Sequence, residues 1–461
     1  MRAMLRCIII IVVALTILLL FGILSVSIFG SASTPKVLNI AVIGAGPAGL
    51  SSAKNALEQG HNVVIYDKGE AIGGTWWYTD KTGTDEYGVF IHSAMYYKVR
   101  TNIPHQTMEL PLHKYPNGTP SYLSHENVWQ YLNTYADRFD LKKHVKLHHL
   151  VENVHSIENN KWNITVLDLP NNKIESVIYD AVFVCINRLS SPNYPQIEGA
   201  DQFKGKIMHS HDYRRAEQFR GADVLVFGNG ASAPEIVLQV SKTANYVTWS
   251  NPEFEEPTAE ARKVYGQNVT FTNNVKHLIK NGAEFMDGTY RNFTVVICVT
   301  GFNYSYPFLD SDAGIYVDEN YVQPLYKQIL NIEHPTMALI GVPDFAFYYR
   351  VYDLQARFAL KFFSGAKELP PKLEMLKDMQ DYAETQSKKG HPKSEIHRVE
   401  SEDCKEYYDQ VAQAADIEKI PDVYPKILVD SIESREKEPF GFRKNKYIII
   451  DDKTFRKERE V

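Results

Sequence analysis

The chain has 461 residues, 44% of them hydrophobic and 23% charged, which is enough to bury the cores of two or three domains. Its net charge of -6 offers no basic footprint for a nucleic acid, so none is expected as a partner. Its 4 cysteines show no C-x-x-C spacing, so neither a disulfide framework nor a zinc site is indicated and no metal is expected.

At the start, Arg2 and Arg6 precede an almost uninterrupted apolar run over residues 7–29, followed by Gly30, Ser31, Ala32 and Ser33. Small residues at that place suit signal peptidase, and cleavage near Ala32 is favoured. The run is also long enough to span a bilayer as an uncleaved signal anchor. In either case residues 1–32 form a targeting segment, and its N-terminal charge sends the remainder to the lumen. The expected location is secreted or endoplasmic reticulum lumen, with membrane attachment only if the leader stays. Glycosylation sequons begin at Asn117, Asn163, Asn268, Asn292 and Asn303, although Pro120 weakens the first.

The stretch over residues 38–67 organises the rest of the chain. Residues 40–43 read as a buried parallel strand, Gly44, Gly46 and Gly49 form G-x-G-x-x-G, and residues 48–59 continue with helical periodicity. A second strand over residues 63–66 ends on Asp67, at the spacing where an acid meets a ribose hydroxyl. Gly44 permits the turn, Gly46 lets the backbone approach a pyrophosphate, and Gly49 lets helix and strand pack closely. The helix N-terminus adds N–H donors and a partial positive charge, so the unit reads as a dinucleotide site. Ala71-Ile72-Gly73-Gly74-Thr75-Trp76 comes directly after the acid.

Beyond it, a segment rich in Tyr, His and Pro leads to an amphipathic helix over residues 128–139. Residues 151–166 and 174–185 alternate like antiparallel strands. Phe203, Gly205, His209 and Tyr213 then fit F-x-G-x-x-x-H-x-x-x-[FY]. A second nucleotide unit comes next: a strand over residues 224–227, Gly228-Asn229-Gly230-Ala231-Ser232-Ala233, and a helix to about residue 240. Ala233 stands where the third glycine would be, and its methyl group pushes the helix slightly off the strand. The next strand, residues 245–249, ends on Ser250 and Asn251, with neither an acid for a ribose nor an Arg for a 2'-phosphate; Arg262 and Lys263 are the nearest cations. A strand over residues 295–299 leads into Thr300-Gly301-Phe302, and Asp353-Leu354-Gln355-Ala356-Arg357-Phe358 begins a helix. Residues 370–461 read as helical, Lys/Glu-rich and finally strand-like at 447–450, with no separate chemistry visible.

Taken in order, these motifs resemble the flavin-containing monooxygenases, and the leader resembles the family's secreted insect branch, which includes alkaloid N-oxygenases. The Ile-Gly-Gly-x-Trp run is similar to the segment such enzymes lay along the flavin. The pattern ending on Tyr213 resembles the family fingerprint, in which Baeyer-Villiger relatives carry Trp. The resemblance implies an α/β fold with two Rossmann-like dinucleotide-binding domains, the smaller NADP domain (residues 216–301) being inserted in the FAD domain (residues 36–215 and 302–461).

It implies FAD and NADP(H) as cofactors. Gly44, Gly46, Gly49, Asp67, Gly74, Trp76, Thr101, Asn102 and Gln355 would serve FAD, and Gly228, Gly230 and Ser232 would serve NADP. In the implied mechanism NADPH reduces FAD, O2 adds at flavin C4a, and the hydroperoxide passes one oxygen atom to a soft nitrogen or sulfur of a xenobiotic or alkaloid, giving an N-oxide from an amine. Asn102 lies in a run similar to the family's Thr-Asn-x-x-x-x-x-Met, whose Asn bonds near the C4a edge; closing its own turn before Pro104 is the plainer role. Gln355 is the expected polar contact near the ring, Arg357 serves there or in a structural ion pair, and His209 is a structural hinge between domains. Asn303 is expected to lie too near the cofactor to carry a glycan.

One departure matters: the family's Cys-[Thr/Asn]-Gly-His is here Cys185-Ile186-Asn187-Arg188. Asn187 is expected to keep the left-handed turn, while the His is gone from the coupling between domains. A flavoprotein disulfide reductase would need a vicinal cysteine pair, which is absent. The other alternative, a catalytically silent secreted binder of nucleotides or alkaloids, draws its support from the altered segment.

Overall fold

Ile40, Ala41, Val42 and Ile43 are buried on both faces, as a central parallel strand requires. In the computed structural model, which describes residues 36–251, 257–344 and 349–459, Asn39–Ile43 pairs in parallel with Asn62–Tyr66 on one side and with Ala181–Val184 on the other. The sheet has seven strands, closed at one edge by Val145–Lys146 and at the other by Met337–Leu339, Leu330–Asn331 and Leu325–Tyr326. Helices Pro47–Glu58 and Tyr349–Phe363 pack together on one face, and the amide of Asn55 donates to Asp353 between them (2.8 Å). An antiparallel sheet of three strands, His149–Ile157, Lys161–Asp168 and Lys173–Tyr179, supplies Val154, Trp162 and Ile164 to the core on the other face. Leu38–Val461 forms one compact unit. The leader expected over residues 1–32 lies outside the described residues. Among the described residues no helix is long and apolar enough to cross a membrane.

The second glycine unit builds a sheet of five parallel strands in the order Val269–Thr272, Tyr246–Ser250, Asp223–Phe227, Val295–Cys298 and Lys206–His209. A mixed sheet with a parallel centre and an all-parallel sheet, each entered through a glycine turn and a helix, match the expected fold class.

Four expectations need correction. Lys206–His209, assigned from sequence to the first unit ending at residue 215, belongs to the second sheet, because its hydrogen bonds go to Val295–Cys298. Residues 151–166 hold two strands joined at Glu158–Asn160, where Asn159 turns the chain with a φ of 63°. The run 174–185 also divides: Lys173–Tyr179 alternates and is antiparallel, whereas Ala181–Val184 is buried throughout and joins the parallel centre of the seven-stranded sheet. Asn187 is not left-handed but extended, with φ −90° and ψ 151°, and its Oδ1 accepts from the N–H of Leu189 (2.9 Å).

Candidate active site

The first glycine turn opens into a cavity of about 600 Å³ lined by Gly44, Gly46, Asp67, Gly74, Trp76 and His92 among others. Each glycine has its own steric reason. Gly44 has a φ of +103°, and a Cβ on Gly49 would stand 1.8 Å from the carbonyl oxygen of Gly44. Gly46 is different: its Cβ would meet only Gly74 Cα, at 3.6 Å, so the side facing the cavity is open. Gly46 is also the N-cap of Pro47–Glu58. No side chain caps that end, and no acid lies in the first turn. The N–H donors of the first turn are thus left for an anion.

The carboxylate of Asp67 is fixed by the N–H of Ala45 at one oxygen and that of Gly69 at the other, both at 2.7 Å, and still borders the cavity. His92 is a lining residue that sequence reasoning missed. Its Nε2 is buried without a partner, and burial lowers its pKa, so the ring offers a neutral polar atom to whatever fills the cavity. No local pattern marks it; only the folded loop brings it beside Asp67. An open helix terminus, a fixed acid and an orphaned buried nitrogen fit the pyrophosphate and ribose of FAD.

The other residues expected at the flavin divide. Gln355 is fully buried, and both ends of its amide are used, Oε1 accepting from Gly341 N–H (2.8 Å) and Nε2 donating to the Tyr407 hydroxyl (2.9 Å). The expected direct contact is therefore replaced by a positioning one, since Gly341 packs on Tyr352, which does line the cavity. Thr101 is buried away from the lining and accepts at Oγ1 from Leu123 N–H (2.9 Å). Arg357 donates to Asp353 (2.7 Å), the structural ion pair.

Asn102, also absent from the lining, accepts at Oδ1 from Arg443 Nη2 (2.7 Å). Arg443 reaches on to Glu235, which also accepts from the hydroxyl of Tyr96 (3.2 Å). Glu235 belongs to the first turn of Ala233–Val240. The tail, in which no chemistry was visible, thus returns to the seam between the two glycine units.

At the second turn, Gly228 has a φ of +106°, and a Cβ on Gly230 would stand 2.9 Å from the carbonyl oxygen of Val299. Ser232 caps the following helix without a side-chain bond. Arg262 and Lys263 lie exposed on helix Ala259–Tyr265. His209 is fully buried. Its Nδ1 accepts from His211 N–H (3.0 Å), and burial lowers its pKa to about 4. Gly205 of the same pattern is required because a Cβ there would stand 2.5 Å from the backbone carbonyl oxygen of Thr294 as well as from the ring of Phe203. Next to Tyr213, the buried Arg214 donates to the carbonyls of Ser93 and Lys81, tying the pattern to the loop after the first unit.

The model of a family described as flavin-binding monooxygenase-like matches residues 37–253 and 258–434. The chain belongs to this family. Among its relatives is senecionine N-oxygenase of Tyria jacobaeae, 33% identical over 430 residues that cover 93% of this chain and 94% of the relative. Flavin-containing monooxygenase FMO GS-OX4 of Arabidopsis thaliana is 32% identical over 83% of this chain and 86% of its own length. Of solved structures, S-allyl-L-cysteine S-oxygenase from Allium sativum superposes with a TM-score of 0.81 and 28% identity, covering 88% of this chain and 95% of that one. The family assignment makes the chain a flavin monooxygenase that uses FAD and NADP. The described cysteines, Cys185, Cys298 and Cys404, are free and buried, and burial raises the Cys185 thiol to about 12, so none is a poised redox thiol.

Proposed function

We propose that the protein is an NADPH- and FAD-dependent monooxygenase that places one oxygen atom of O2 on a soft nucleophilic nitrogen or sulfur of a small xenobiotic or alkaloid. An amine gives its N-oxide, and the reaction closes as substrate, O2, NADPH and a proton giving oxygenated substrate, water and NADP+. The observation that carries this reading is the cavity at the uncapped terminus of Pro47–Glu58, bordered by Asp67 and the orphaned His92 nitrogen. Similarity to a senecionine N-oxygenase across nearly the whole chain supports nitrogen as the acceptor.

When bound, FAD supplies the oxygen activation, and the chain supplies binding, orientation and dryness. The turn at Gly44 to Gly49 would hold the pyrophosphate, Asp67 would accept from a ribose hydroxyl, and Gly74 and Trp76 would help to hold the cofactor in the cavity they line. Gly228, Gly230 and Ser232 would hold NADP, with Arg262 and Lys263 as the cations available to a 2'-phosphate. Asn102, held by Arg443, presents its amide at the seam between the units. No acid–base dyad is required of the protein. The leader directs it to the secretory route, where it acts in the lumen or outside the cell.

A silent binder is the second reading, favoured by Arg188 in place of the family's His; here Arg188 is paired with Asp344 and lies over the ring of Tyr304. Purified secreted protein should show a flavin spectrum and oxidise NADPH faster with a tertiary amine than without. A yellow protein inert toward NADPH would favour the silent binder.

A further inference from the structure

A second cavity, of about 340 Å³, opens between helices Lys372–Lys388 and Cys404–Ala415 and the strand Leu325–Tyr326, and it shares no lining residue with the flavin cavity. Its floor has a fixed hydrogen-bond polarity. The N–H of Val322 donates to Nε2 of His397 (2.9 Å), so the ring proton is assigned to Nδ1, which donates to Oε1 of Gln328 (2.9 Å). That orients the amide and leaves Nε2 of Gln328 as the outward donor. Gln328 is only 6% exposed, yet Nε2 has no partner of good geometry. The buried hydroxyl of Tyr382 lies beside the amides of Gln328 and Gln386, within their influence but without good hydrogen-bond geometry to either. Burial keeps His397 neutral, its pKa lowered to about 3, so this polarity persists at ordinary pH.

The mouth has the opposite character. Lys327 pairs with Asp378 and Lys389 with Asp403, while among the described residues Asp381 and Glu406 have no cation, Glu406 accepting only from the amide of Gln410 (3.0 Å). The cleft therefore offers two carboxylates without a paired cation outside and, inside, the buried Nε2 donor of Gln328 with the Tyr382 hydroxyl beside it. Unmade buried bonds of this kind are costly and mark a place for a ligand or ordered water.

We propose that this cleft is a second small-molecule site for a hydroxylated ammonium compound of the amino-sugar or amino-alcohol class. Its ammonium group lies between Asp381 and Glu406. A hydroxyl oxygen accepts from Nε2 of Gln328, and the Tyr382 hydroxyl completes the set. A neutral sugar lacks the charge, an aliphatic ammonium lacks the oxygen, and an anion is opposed by the mouth.

Calorimetry on the full, FAD-loaded chain at low salt tests this with three probes: D-glucosamine, D-glucose and cyclohexylamine. Glucosamine should bind at least tenfold more tightly than either control. The double variant Asp381→Asn, Glu406→Gln should reduce it to the level of glucose, and Tyr382→Phe should weaken it several-fold. Flavin absorbance like the parent's verifies that the variants are folded, and the single exposed Asp381→Asn serves if the double variant is not. Glucosamine binding no better than the controls, or undiminished in the variants, would overturn the assignment.

Discussion

The guanidinium of Arg443 donates to Oδ1 of Asn102 across 2.7 Å, joining the C-terminal tail to a turn 341 residues earlier. The same nitrogen lies 3.4 Å from Glu235, in the first turn of the helix after the second glycine unit. A carboxylate there opposes an anionic ligand at the helix terminus, and the guanidinium beside it offsets that charge. Arg443→Leu should therefore raise KM for NADPH about two- to tenfold, the size of a helix-terminus charge effect. Asn102→Ala should bind FAD and be reduced normally, but release hydrogen peroxide in place of product. The loss of coupling should be about a hundredfold, as for one well-placed bond in a dry site. An Asn102→Ala enzyme that oxygenates amines like the parent would assign Asn102 to its turn alone.

Gly46 and Gly49 should separate cofactor binding from folding. A Cβ on Gly46 makes only ordinary contact, at 3.6 Å, so Gly46→Val should fold and fail to hold flavin. Gly49→Ala should instead lower the melting temperature sharply, because its methyl group meets backbone at 1.8 Å. Gly230→Ala crowds Val299 and should leave the protein yellow while slowing its reduction by NADPH. Circular dichroism, flavin absorbance and stopped-flow reduction read the three outcomes; exchanged phenotypes for the two turns would reverse the domain assignment.

Acid should weaken the seam between the units. The pKa of His209 falls from 6.5 to about 4 on folding, so between those values the unfolded chain binds the extra proton. Stability is complete above pH 6.5 and is lost as pH falls toward 4, by up to about 3 kcal/mol from this group. Urea midpoints at pH 7 and 4.5 should differ accordingly, and His209→Gln should reduce the difference by the share this group carries, the buried His397 retaining its own. An equal pH slope in parent and variant would show that His209 does not govern the acid response.

The sequons are sorted by exposure. Asn117 and Asn292 are exposed, whereas Asn268 donates through its amide to the carbonyl of Ser241 (2.8 Å). Glycan should therefore appear at Asn292 first, then at Asn117, where Pro120 works against it, and not at Asn268. Mass spectrometry of the secreted protein should also find the chain beginning near residue 33. A glycan-free, leader-bearing product would contradict the secretory proposal.

Both glycine units, Asp67 and the fingerprint around His209 were legible in the sequence because each depends on local geometry: a positive φ, a backbone approach, an alternation of two. Gln355, Arg443 and His92 were not. Gln355 was expected at a helix start, whereas helix Tyr349–Phe363 already runs before Asp353 and holds it in the interior, and which way its amide turned depended on Gly341 and Tyr407, 14 and 52 residues away. Arg443 sits in a charged tail whose pattern gives no hint of Asn102. The strand Lys206–His209 was misassigned for a similar reason, since parallel partners are chosen by topology that no window of sequence contains.

Oxygen transfer itself stands or falls on the stoichiometry of NADPH, O2 and product. With a tertiary amine such as a pyrrolizidine alkaloid, each NADPH oxidised should consume one O2 and yield one N-oxide, with little hydrogen peroxide. NADPH oxidation that produced only peroxide, whatever amine or sulfide was supplied, would contradict a monooxygenase function.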